Sequence, residues 1–406
     1  MTHRERVIRA LNFLETDRIP MDLGGMDSTG ISAFAYPHLV KFLELEERLP
    51  YVHDTGQMLA LPDLDVLDTL GCDVITIRMG FANGYVEENQ WDYFDFGGRL
   101  SAKVINASCF KVLEDGTVTQ PDYGLRMPPD SYVFDSEHGG QPVFFDNDLP
   151  ELDLGKIKED LLNHKLSDET IEKVSEICKK AYEETDRALF LNGPMLGIGI
   201  GNFGGVGYFP LLCLTNEEKV KELHEILLNH AISELERLLP HVKDYVHIYM
   251  CNADDWGTQS NLIASPDTFK RLFLPYYQEF NRYIHTQAPH IKTFLHSCGA
   301  VYDLLDSFIE CGFDILNPVQ WTAGKYNYHD WKKKCEGRVV LWGGGIDTQK
   351  TLPLGNKEDI IKQVSEIVSV FSRGSGYVFC SIHNILAEIE PWKIKTIYET
   401  AQSIKG

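Results

Sequence analysis

The stretch that decides the fold is Lys292-Thr-Phe-Leu-His-Ser-Cys-Gly299, an apolar run that ends in a histidine, a cysteine and a glycine. A short apolar run bounded by a chain-reversing glycine is typical of a buried strand in a parallel sheet. Side chains two residues apart share one face of a strand, so His296 and Cys298 are expected to point the same way. Similar runs, each ending in small, polar or chemically active residues, occur at residues 19–25, 73–79, 188–194, 246–255, 314–320, 339–347 and 377–384.

Segments with helical periodicity separate most of these strand candidates. Apolar residues recur near helical spacing in residues 217–239, and residues 358–371 repeat the pattern. Strands that alternate with helices indicate a parallel sheet covered by helices, and eight consecutive units are what a closed (β/α)8 TIM barrel requires. We therefore predict this α/β fold, with an open doubly wound sheet as the alternative. Active sites of such barrels lie at the carboxyl ends of the strands.

The longest interruption lies between the second and third strand candidates. Residues 81–145 are rich in aromatic residues and turns, and the alternation on either side of Asp115-Gly116 predicts β-hairpins. Residues 156–185 have the pattern of a helix, and the chain contains no proline- or serine-rich linker and no internal repeat. We interpret residues 1–406 as one barrel domain, with residues 81–185 forming an α+β cap inserted between strands two and three.

Composition argues against several classes of partner. The 406 residues are 43% apolar and carry 60 acidic against 38 basic side chains, a net charge of −22. Because a nucleic-acid surface needs clustered positive charge, nucleic acid is not an expected partner. No run approaches the ~20 apolar residues that span a bilayer, and Met1-Thr-His-Arg-Glu-Arg6 is not an apolar signal segment. We expect a cytoplasmic protein without membrane association, whose nine cysteines are reduced and available to metals; homo-oligomer formation is left open.

The strand ends predict a metal site. A neutral imidazole and a thiolate aimed together suit a borderline-soft ion such as Zn²⁺, which makes His296 and Cys298 candidate ligands. A further thiol and imidazole, Cys380 and His383, lie in the last strand candidate. A His-x-Cys pair alone is weak evidence, since a single buried cysteine usually acts as a small apolar side chain. The support comes from the common position of these residues at strand ends.

Other polar residues fall at the same edge of the predicted barrel. Asp22, Asp254 and Asp255 are candidate acid–base groups, although Asp254 and Asp255 could instead cap a helix. The same three carboxylates, and Glu388, could supply oxygen ligands to the metal. Candidate substrate contacts are Asn192, Asn317, Gln320, Asp347 and, in the cap, Trp91. For the cap aromatics, packing is the alternative to contact with an aromatic substrate.

A set of segments along nearly the whole chain carries a family resemblance. They are residues 2–23, Asp254-Asp-Trp-Gly-Thr-Gln259, His296-Ser-Cys-Gly-Ala-Val301, Asp314-Ile-Leu-Asn-Pro-Val-Gln320, Trp342-Gly-Gly-Gly-Ile-Asp-Thr-Gln349 and His383-Asn384. Together they resemble the uroporphyrinogen decarboxylase superfamily, and more closely its zinc-dependent, corrinoid-linked methyltransferase branch. The resemblance implies a barrel with its pocket at the carboxyl ends of the strands.

The chain departs from true uroporphyrinogen decarboxylases after the first strand. Those enzymes have an arginine-rich loop there that binds the propionates of a tetrapyrrole, whereas Asp22-Leu-Gly-Gly-Met-Asp-Ser-Thr29 contains no Arg or Lys. An anionic porphyrinogen would need cations at this place. Decarboxylation of a tetrapyrrole is therefore not expected, and a non-porphyrin decarboxylase is kept as an alternative.

The methyltransferase branch carries a zinc-binding His-x-Cys at the fifth strand and a cysteine near the eighth. His296 and Cys298 match the first part, while the second aligns nearest to His383, three residues after Cys380. Either residue could be the third ligand, and the alignment favours His383.

The resemblance implies Zn²⁺ and methyl transfer between a small substrate and the cobalt of a corrinoid. A separate protein is expected to carry the corrinoid, because the chain lacks the Asp-x-His-x-x-Gly segment found in many carriers. An aromatic methyl ether or similar methyl donor is the preferred substrate, on the basis of the aromatic cap. A thiol acceptor such as coenzyme M, and a non-catalytic, metal-stabilised partner of a corrinoid protein, are the alternatives.

Overall fold

Strands and helices alternate through most of the chain in the computed structural model, which describes residues 1–135, 152–201 and 203–404. The strands are β1 (Ile31–Ser32), β2 (Tyr51–Asp54), β3 (Leu59–Ala60), β4 (Val74–Ile77), β5 (Asp92–Asp95), β6 (Ser101–Val104), β7 (Lys111–Val112), β8 (Val118–Gln120), β9 (Leu125–Met127), β10 (Ala188–Leu191), β11 (Ile248–Ala253), β12 (Lys292–His296), β13 (Ile315–Asn317), β14 (Val340–Trp342) and β15 (Tyr377–Val378). The α-helices are α1 (His3–Leu11), α2 (Tyr36–Phe42), α3 (Leu64–Leu70), α4 (Leu154–Asn163), α5 (Asp168–Glu184), α6 (Gly205–Thr215), α7 (Glu217–Val242), α8 (Pro266–Leu272), α9 (Leu274–Gln287), α10 (Leu305–Glu310), α11 (Tyr328–Cys335), α12 (Thr351–Leu354), α13 (Lys357–Phe371) and α14 (Pro391–Ser403).

The wall of the barrel is a parallel sheet in the order β15-β14-β13-β12-β11-β10-β4. The first apolar run completes the ring, because Met21 forms a parallel bridge with Phe379. The backbone N–H of Asp22 donates to the Phe379 carbonyl oxygen (2.9 Å), and the Asp73 N–H donates to the Met21 carbonyl oxygen (2.8 Å). The predicted (β/α)8 TIM barrel is confirmed.

The strands are apolar on both faces because each face is covered. Inside the barrel, Phe190 lies 4.8 Å from Phe294 and 5.8 Å from Trp342 between ring centroids. Alternate residues such as Leu189 and Leu295 belong to the larger core cluster, which extends to the helices, and are at most 1% exposed. The helices predicted within residues 217–239 and 358–371 correspond to α7 and α13. In the described part of the chain, no helix combines the length and apolar character needed to cross a membrane.

A buried carboxylate ties the N-terminal segment to the start of β4. Asp73 is fully buried and accepts hydrogen bonds from the His3 Nδ1 (2.7 Å), the Arg6 Nη1 (2.6 Å) and the Met21 backbone N–H (2.8 Å). Arg18 donates to both oxygens of the same carboxylate, at 2.7 and 2.8 Å. These charged partners lower the pKa of Asp73 against the opposing effect of burial, which is the largest single influence. The carboxylate therefore stays ionised and joins α1 to the barrel.

The cap draws on two stretches of the chain. Its larger sheet has the order β1-β3-β2-β6-β5, in which β2 pairs in parallel with β6. The segment that connects the first apolar run to β4 therefore forms one sheet with part of the excursion that follows β4. The hairpin β7–β8 with its turn at Asp115-Gly116 forms as predicted, and α4 and α5 divide the segment predicted as one helix. Part of the predicted cap, residues 136–151, lies outside the described residues, so the boundary at 81–185 stays a prediction.

Candidate metal centre and substrate site

A nitrogen, a sulfur and an oxygen donor meet at the mouth of the barrel. His296 is the last residue of β12, and the Cys298 Sγ lies 3.5 Å from its Nε2. Asp255 follows β11 and brings its Oδ1 to 3.6 Å from the same Nε2. The three donor atoms lie within 4.8 Å of one another. Over residues 1–135, 152–201 and 203–404, this is the one group of three or more such side chains close enough to share a metal ion.

This donor set fits a zinc ion. Imidazole nitrogen, thiolate sulfur and carboxylate oxygen are the ligand types of Zn²⁺, at bond lengths that imply ligand–ligand separations of roughly 3.3–3.8 Å in a tetrahedron. The separations of 3.5 and 3.6 Å around His296 fall in that range. Burial, and secondarily the charge of Asp255, raise the pKa of the Cys298 thiol. A thiolate at this position therefore needs a cation beside it, which a metal ion would provide.

His296 is oriented by a side chain on the neighbouring strand. Its Nδ1 lies 2.6 Å from the Asn317 Oδ1 and 3.1 Å from the Ser28 Oγ. The Asn317 Nδ2 donates to the Trp342 carbonyl oxygen (2.9 Å), which turns the amide oxygen towards the histidine. The Nδ1 consequently carries the proton, and the Nε2 keeps its lone pair directed at Cys298 and Asp255. This is the tautomer that a metal-binding histidine requires.

An Asn317→Leu variant is expected to bind zinc about 10–100-fold more weakly, because the imidazole Nδ1–H loses the acceptor that orients the ring. A competition titration with a chromogenic chelator measures the change. Asn163→Leu, the same substitution at an exposed position at the end of α4, serves as the matched control and should retain the wild-type affinity. Equal affinities in wild type and Asn317→Leu would show that the amide does not orient the ligand.

The two loops that carry the donors touch through their backbones. The Cys298 N–H donates to the Asp255 Oδ1 (2.9 Å), and the Ala300 N–H donates to the Thr258 carbonyl oxygen (2.8 Å). Gly299 has a φ of +92°, and a Cβ there would lie 2.0 Å from the Gly257 carbonyl oxygen. Since only glycine tolerates this approach, the separation between the loops after β11 and β12 is set by main-chain contact.

His383 and Cys380 occupy different environments. His383 lines a cavity of about 310 Å³ together with Asp255 and Cys298. Burial, and secondarily the proximity of His296, lower the pKa of its imidazole. Cys380 is fully buried in the apolar interior of the barrel. His383 therefore borders the same cavity as Asp255 and Cys298 without belonging to the group of three donors. Cys380 instead packs in the apolar interior of the barrel.

Two carboxyl groups at strand ends have raised pKa values, that of the fully buried Asp22 and that of the half-buried Asp254. Asp22 is fully buried and accepts from the Trp342 Nε1 (2.9 Å) and the Gly25 N–H (2.8 Å), and burial raises its pKa to about 6. Asp254 accepts from the Ile200 N–H (2.5 Å), and burial raises its pKa to about 7. Both groups can hold a proton near neutral pH. Neither Asp254 nor Asp255 caps a helix, because α8 has Ser265 as its N-cap.

The raised pKa of Asp22 predicts a pH-dependent stability. Because the folded state holds this proton more tightly than the unfolded chain, whose ordinary pKa is 3.8, the contribution is fully present below pH 3.8 and is lost as the pH rises through about 6. Between about pH 4 and pH 7, the wild type should lose about 2 kcal/mol relative to Asp22→Asn. Chemical denaturation at the two pH values measures this. A constant free-energy difference between the wild type and Asp22→Asn at both pH values would contradict the shifted pKa.

The side chains of Gln320 and Asn192 both form hydrogen bonds to the backbone of loops around the mouth of the barrel. The Gln320 Oε1 accepts from the Gly299 N–H (2.7 Å), and the side chain lines the 310 Å³ cavity. The Asn192 Nδ2 donates to the Gly25 carbonyl oxygen and to the Thr76 Oγ1, at 2.8 Å each. Gln320 is thus placed for contact with a bound molecule, and Asn192 links the ends of three neighbouring barrel strands.

Asp347 and Trp91 are occupied by structural contacts. The Asp347 Oδ1 accepts from the backbone N–H groups of Gln349 (2.8 Å) and Lys350 (3.2 Å), which stabilises the turn after β14. Trp91 is 5% exposed and packs edge-on against Tyr51 and Phe81. Neither residue lines the cavity that contains Cys298. Their assignment as substrate contacts stays a prediction.

A charged group next to the donor cluster was missed by the sequence reasoning. Arg78, directly after β4, donates from its guanidinium to the Asp27 carboxylate, beside Ser28 in the loop after the first strand. The His53 Nδ1 lies 3.8 Å from the Asp27 Oδ1, and burial lowers the pKa of this imidazole to about 3. Arg78 thus brings a cation to a loop that has none of its own. The sequence did contain a signal for this residue, since Arg78 lies at the end of a strand candidate.

Comparisons with known proteins agree with this architecture. The family model "Uroporphyrinogen decarboxylase (URO-D)" matches residues 154–404. Uroporphyrinogen decarboxylase of Legionella pneumophila strain Corby is 25% identical over 185 residues, covering 45% of this chain and 49% of that protein. The protein of strain Lens is 24% identical over 181 residues, covering 45% of this chain and 48% of that protein. The chain therefore spans about half the length of the curated relatives it matches.

A solved structure shares the fold over nearly its full length. It is described as a "methyltransferase from Methanosarcina mazei", with a TM-score of 0.57, 16% identity, and coverage of 99% of this chain and 98% of that one. At this identity the likeness concerns the fold. The family model, in contrast, covers more than half of the 406 residues. The chain belongs to the uroporphyrinogen decarboxylase family.

Proposed function

We propose that this protein is a zinc-dependent methyltransferase that moves a methyl group between a small substrate and the cobalt of a separate corrinoid protein. The observation that carries the proposal is the cluster of Asp255, His296 and Cys298 at the mouth of the barrel. The name of the Methanosarcina mazei protein, whose fold this chain shares, supports the same branch of the family.

The mouth of the barrel favours a small substrate over a porphyrinogen. The inner cavity beside Cys298 measures about 310 Å³, the lower end of the ~300–1,000 Å³ typical of small-molecule pockets. The loop at residues 22–29 has no Arg or Lys, and the cation that reaches it, Arg78, is already paired with Asp27. The propionates of a tetrapyrrole would therefore lack the basic partners they need.

The residues of the cluster have distinct roles in the proposed reaction. His296, Cys298 and Asp255 would hold the zinc, with His383 facing them across the inner cavity. When bound, zinc would polarise the leaving atom of a methyl donor or hold a thiol acceptor as its thiolate. Asn317 keeps the His296 Nε2 directed at the site. Asp254, which directly precedes Asp255 in the chain, is the candidate group to supply or accept the proton of the leaving group.

Cobalt absorbance tests this function. The zinc-loaded protein is incubated with methylated or demethylated corrinoid protein from the same organism and a panel of methyl ethers, methylamines and thiols. We expect the wild type to change the cobalt spectrum with at least one panel member, and His296→Ala to leave the spectrum unchanged. Cys380→Ala, which alters a buried thiol outside the cluster, is the control and should stay active.

Two outcomes would contradict the proposed methyl transfer, and a third would contradict its dependence on the metal cluster. One is a zinc-containing wild type that leaves the cobalt spectrum unchanged in both directions with every panel member. The other is the release of carbon dioxide from a panel of small carboxylic acids without any methyl transfer, which would favour a non-porphyrin decarboxylase. Full activity in the His296→Ala variant would show that methyl transfer does not require the metal cluster.

A further inference from the structure

The wall of the inner cavity is polar but carries no basic side chain. Most of its residues offer uncharged hydrogen-bonding groups, which are the amides of Gln259, Gln320, Gln349 and Asn384 and the hydroxyls of Thr322 and Thr348. In the described part of the chain, no Lys or Arg lines this cavity. Residues 136–151, which lie outside that part, contain neither residue type in their sequence. A negatively charged group bound in the cavity would therefore lack a cationic side chain as its partner.

The two cations closest to this wall along the chain or across the mouth are not part of it. Arg78, directly after β4, is paired with Asp27 and does not line the inner cavity. Lys350 follows the lining residue Gln349 in the sequence, but its own side chain does not belong to the wall. Recognition of a bound molecule in the inner cavity is thus left to uncharged groups.

The imidazole of His383, which also lines the inner cavity, is uncharged as well. The Asn384 Nδ2 donates to the Gln57 Oε1 (2.9 Å), which turns the Asn384 Oδ1 towards the His383 Nδ1, 2.9 Å away. The His383 Nδ1 consequently donates this hydrogen bond, as one nitrogen of a neutral imidazole does. Burial, and secondarily the proximity of His296, lower the pKa of the ring below its ordinary value. His383 therefore adds no positive charge at neutral pH.

The proposed metal ligands leave the site without a net positive charge. Zinc binds a carboxylate and a thiolate in their ionised forms and histidine as the neutral imidazole. Asp255 and Cys298 would therefore contribute two negative charges, which balance the charge of the divalent ion. A thiol that binds zinc as its thiolate adds one more negative charge. A second negative group on the same molecule would then meet a site that is already anionic.

Two of the amides in the wall can exchange hydrogen-bond partners. The Gln320 Nε2 donates to the Gln259 Oε1 over 3.4 Å, a distance at which a hydrogen bond is weak. The Gln320 Oε1, in contrast, is held by the Gly299 N–H at 2.7 Å. The Gln320 Nε2 and the Gln259 Oε1 can thus turn to a hydroxyl or amide group of a bound molecule without the loss of a strong hydrogen bond.

We propose that the inner cavity selects a substrate whose non-reacting end is an uncharged hydrogen-bonding group, and that it discriminates against one that ends in a sulfonate or a carboxylate. The proposal rests on the function proposed above, since the reacting methyl or thiol group is placed at the metal ligands. Among thiol acceptors, a sulfonated thiol of the coenzyme M kind is then a poor substrate for this protein.

Two thiols that differ only at the remote end test the inference. 2-Mercaptoethanol ends in a hydroxyl group, and 2-mercaptoethanesulfonate ends in a sulfonate. Each thiol is titrated calorimetrically into the zinc-loaded protein, and the metal content of the same sample is measured. We expect the wild type to bind 2-mercaptoethanol about tenfold more tightly than the sulfonate, equivalent to about 1.4 kcal/mol.

A cation added to the wall should remove most of this preference. Gln349 and Leu386 both line the inner cavity and are exposed, so Gln349→Lys and Leu386→Lys should fold. Each variant is expected to bind the sulfonate about fivefold more tightly than the wild type does, through the attraction between opposite charges. Neither variant should change the affinity for 2-mercaptoethanol.

Gln287→Lys is the matched control, because it adds the same charge at the opposite end of the barrel. Gln287 is exposed at the end of α9, which leads into the start of β12, whereas His296 lies at the end of that strand. Gln287→Lys should keep the preference of the wild type for 2-mercaptoethanol.

Four outcomes would overturn the inference. The wild type could bind the sulfonate as tightly as 2-mercaptoethanol or more tightly, or the zinc-containing protein could fail to bind 2-mercaptoethanol. The preference could persist unchanged in both Gln349→Lys and Leu386→Lys. It could also fall equally in Gln287→Lys, in which case the wall of the inner cavity would not be its cause.

The calorimetry contains no corrinoid protein, so a failure of methyl transfer would leave its result intact. A sample that binds no zinc would overturn the proposed function and the inference together, and the metal analysis identifies that case. Conversely, a protein that transfers methyl groups to both thiols with equal kcat/KM would retain the proposed function and lose the inference.

Discussion

We expect the wild type to bind about one zinc ion per chain and a Cys298→Ser variant to lose it. Removing a direct ligand should weaken the affinity at least as much as the roughly 10–100-fold loss that follows changes to the groups behind a ligand. Metal analysis of protein purified without chelator measures the content, and circular dichroism establishes that the variant is folded. Because the three donors lie outside the apolar core clusters, we expect the fold to be retained.

Cys380→Ala is the matched control for Cys298→Ser. It removes a thiol that is fully buried in the barrel interior, so it should keep the zinc and cost on the order of 1 kcal/mol of packing energy. Asp255→Ala and His383→Ala then separate the candidates for the third ligand, and we expect the larger loss from Asp255→Ala. Zinc retained by Cys298→Ser, or lost from Cys380→Ala, would contradict this assignment.

An Asp73→Ala variant is expected to lose roughly 3–5 kcal/mol of unfolding free energy, the usual consequence of removing one partner from a buried ionic network. The side chain of Arg18, 21% exposed, would lose its carboxylate partner, and that of Arg6, 7% exposed, would keep only Asp17. Chemical denaturation and the melting temperature report the loss.

Glu279→Ala provides the control for Asp73→Ala. Glu279 pairs with Arg282 on the surface of α9, and the two side chains are 40% and 63% exposed, so its removal should cost less than about 1 kcal/mol. If the two variants were equally stable, the Asp73 network could not be what joins α1 to the barrel.

The strand positions were predictable because each strand is a local signal, an apolar run bounded by polar residues. The first run was the least regular. Pro20 has no N–H to donate, and the run forms a bridge at Met21 without extending into a longer strand. The pairing of β2 with β6 joins Tyr51 to Lys103. Such distant pairing leaves no pattern in either segment, so the composition of the cap sheet could not be derived.

The residues of the site likewise fall into those that the local sequence indicates and those that depend on contacts between distant segments. His296 and Cys298 lie two residues apart on one strand end, so local geometry was enough to nominate them. The choice of Asp255 among several carboxylates depends on how two loops meet, and the position of Ser28 behind the imidazole depends on a contact across 268 residues. Nothing near Ser28 in the sequence distinguishes it from other serines in loops.

The contact between Gly257 and Gly299 has a consequence for any attempt to change what this protein accepts. A library randomised at either glycine should return almost only wild-type codons among its active members. The neighbouring residues Gln259, Ser260 and Tyr326 are free of that restriction and can vary while the two loops keep their spacing. Selectivity could then diverge, in the laboratory or between related sequences, without the metal donors ever moving apart.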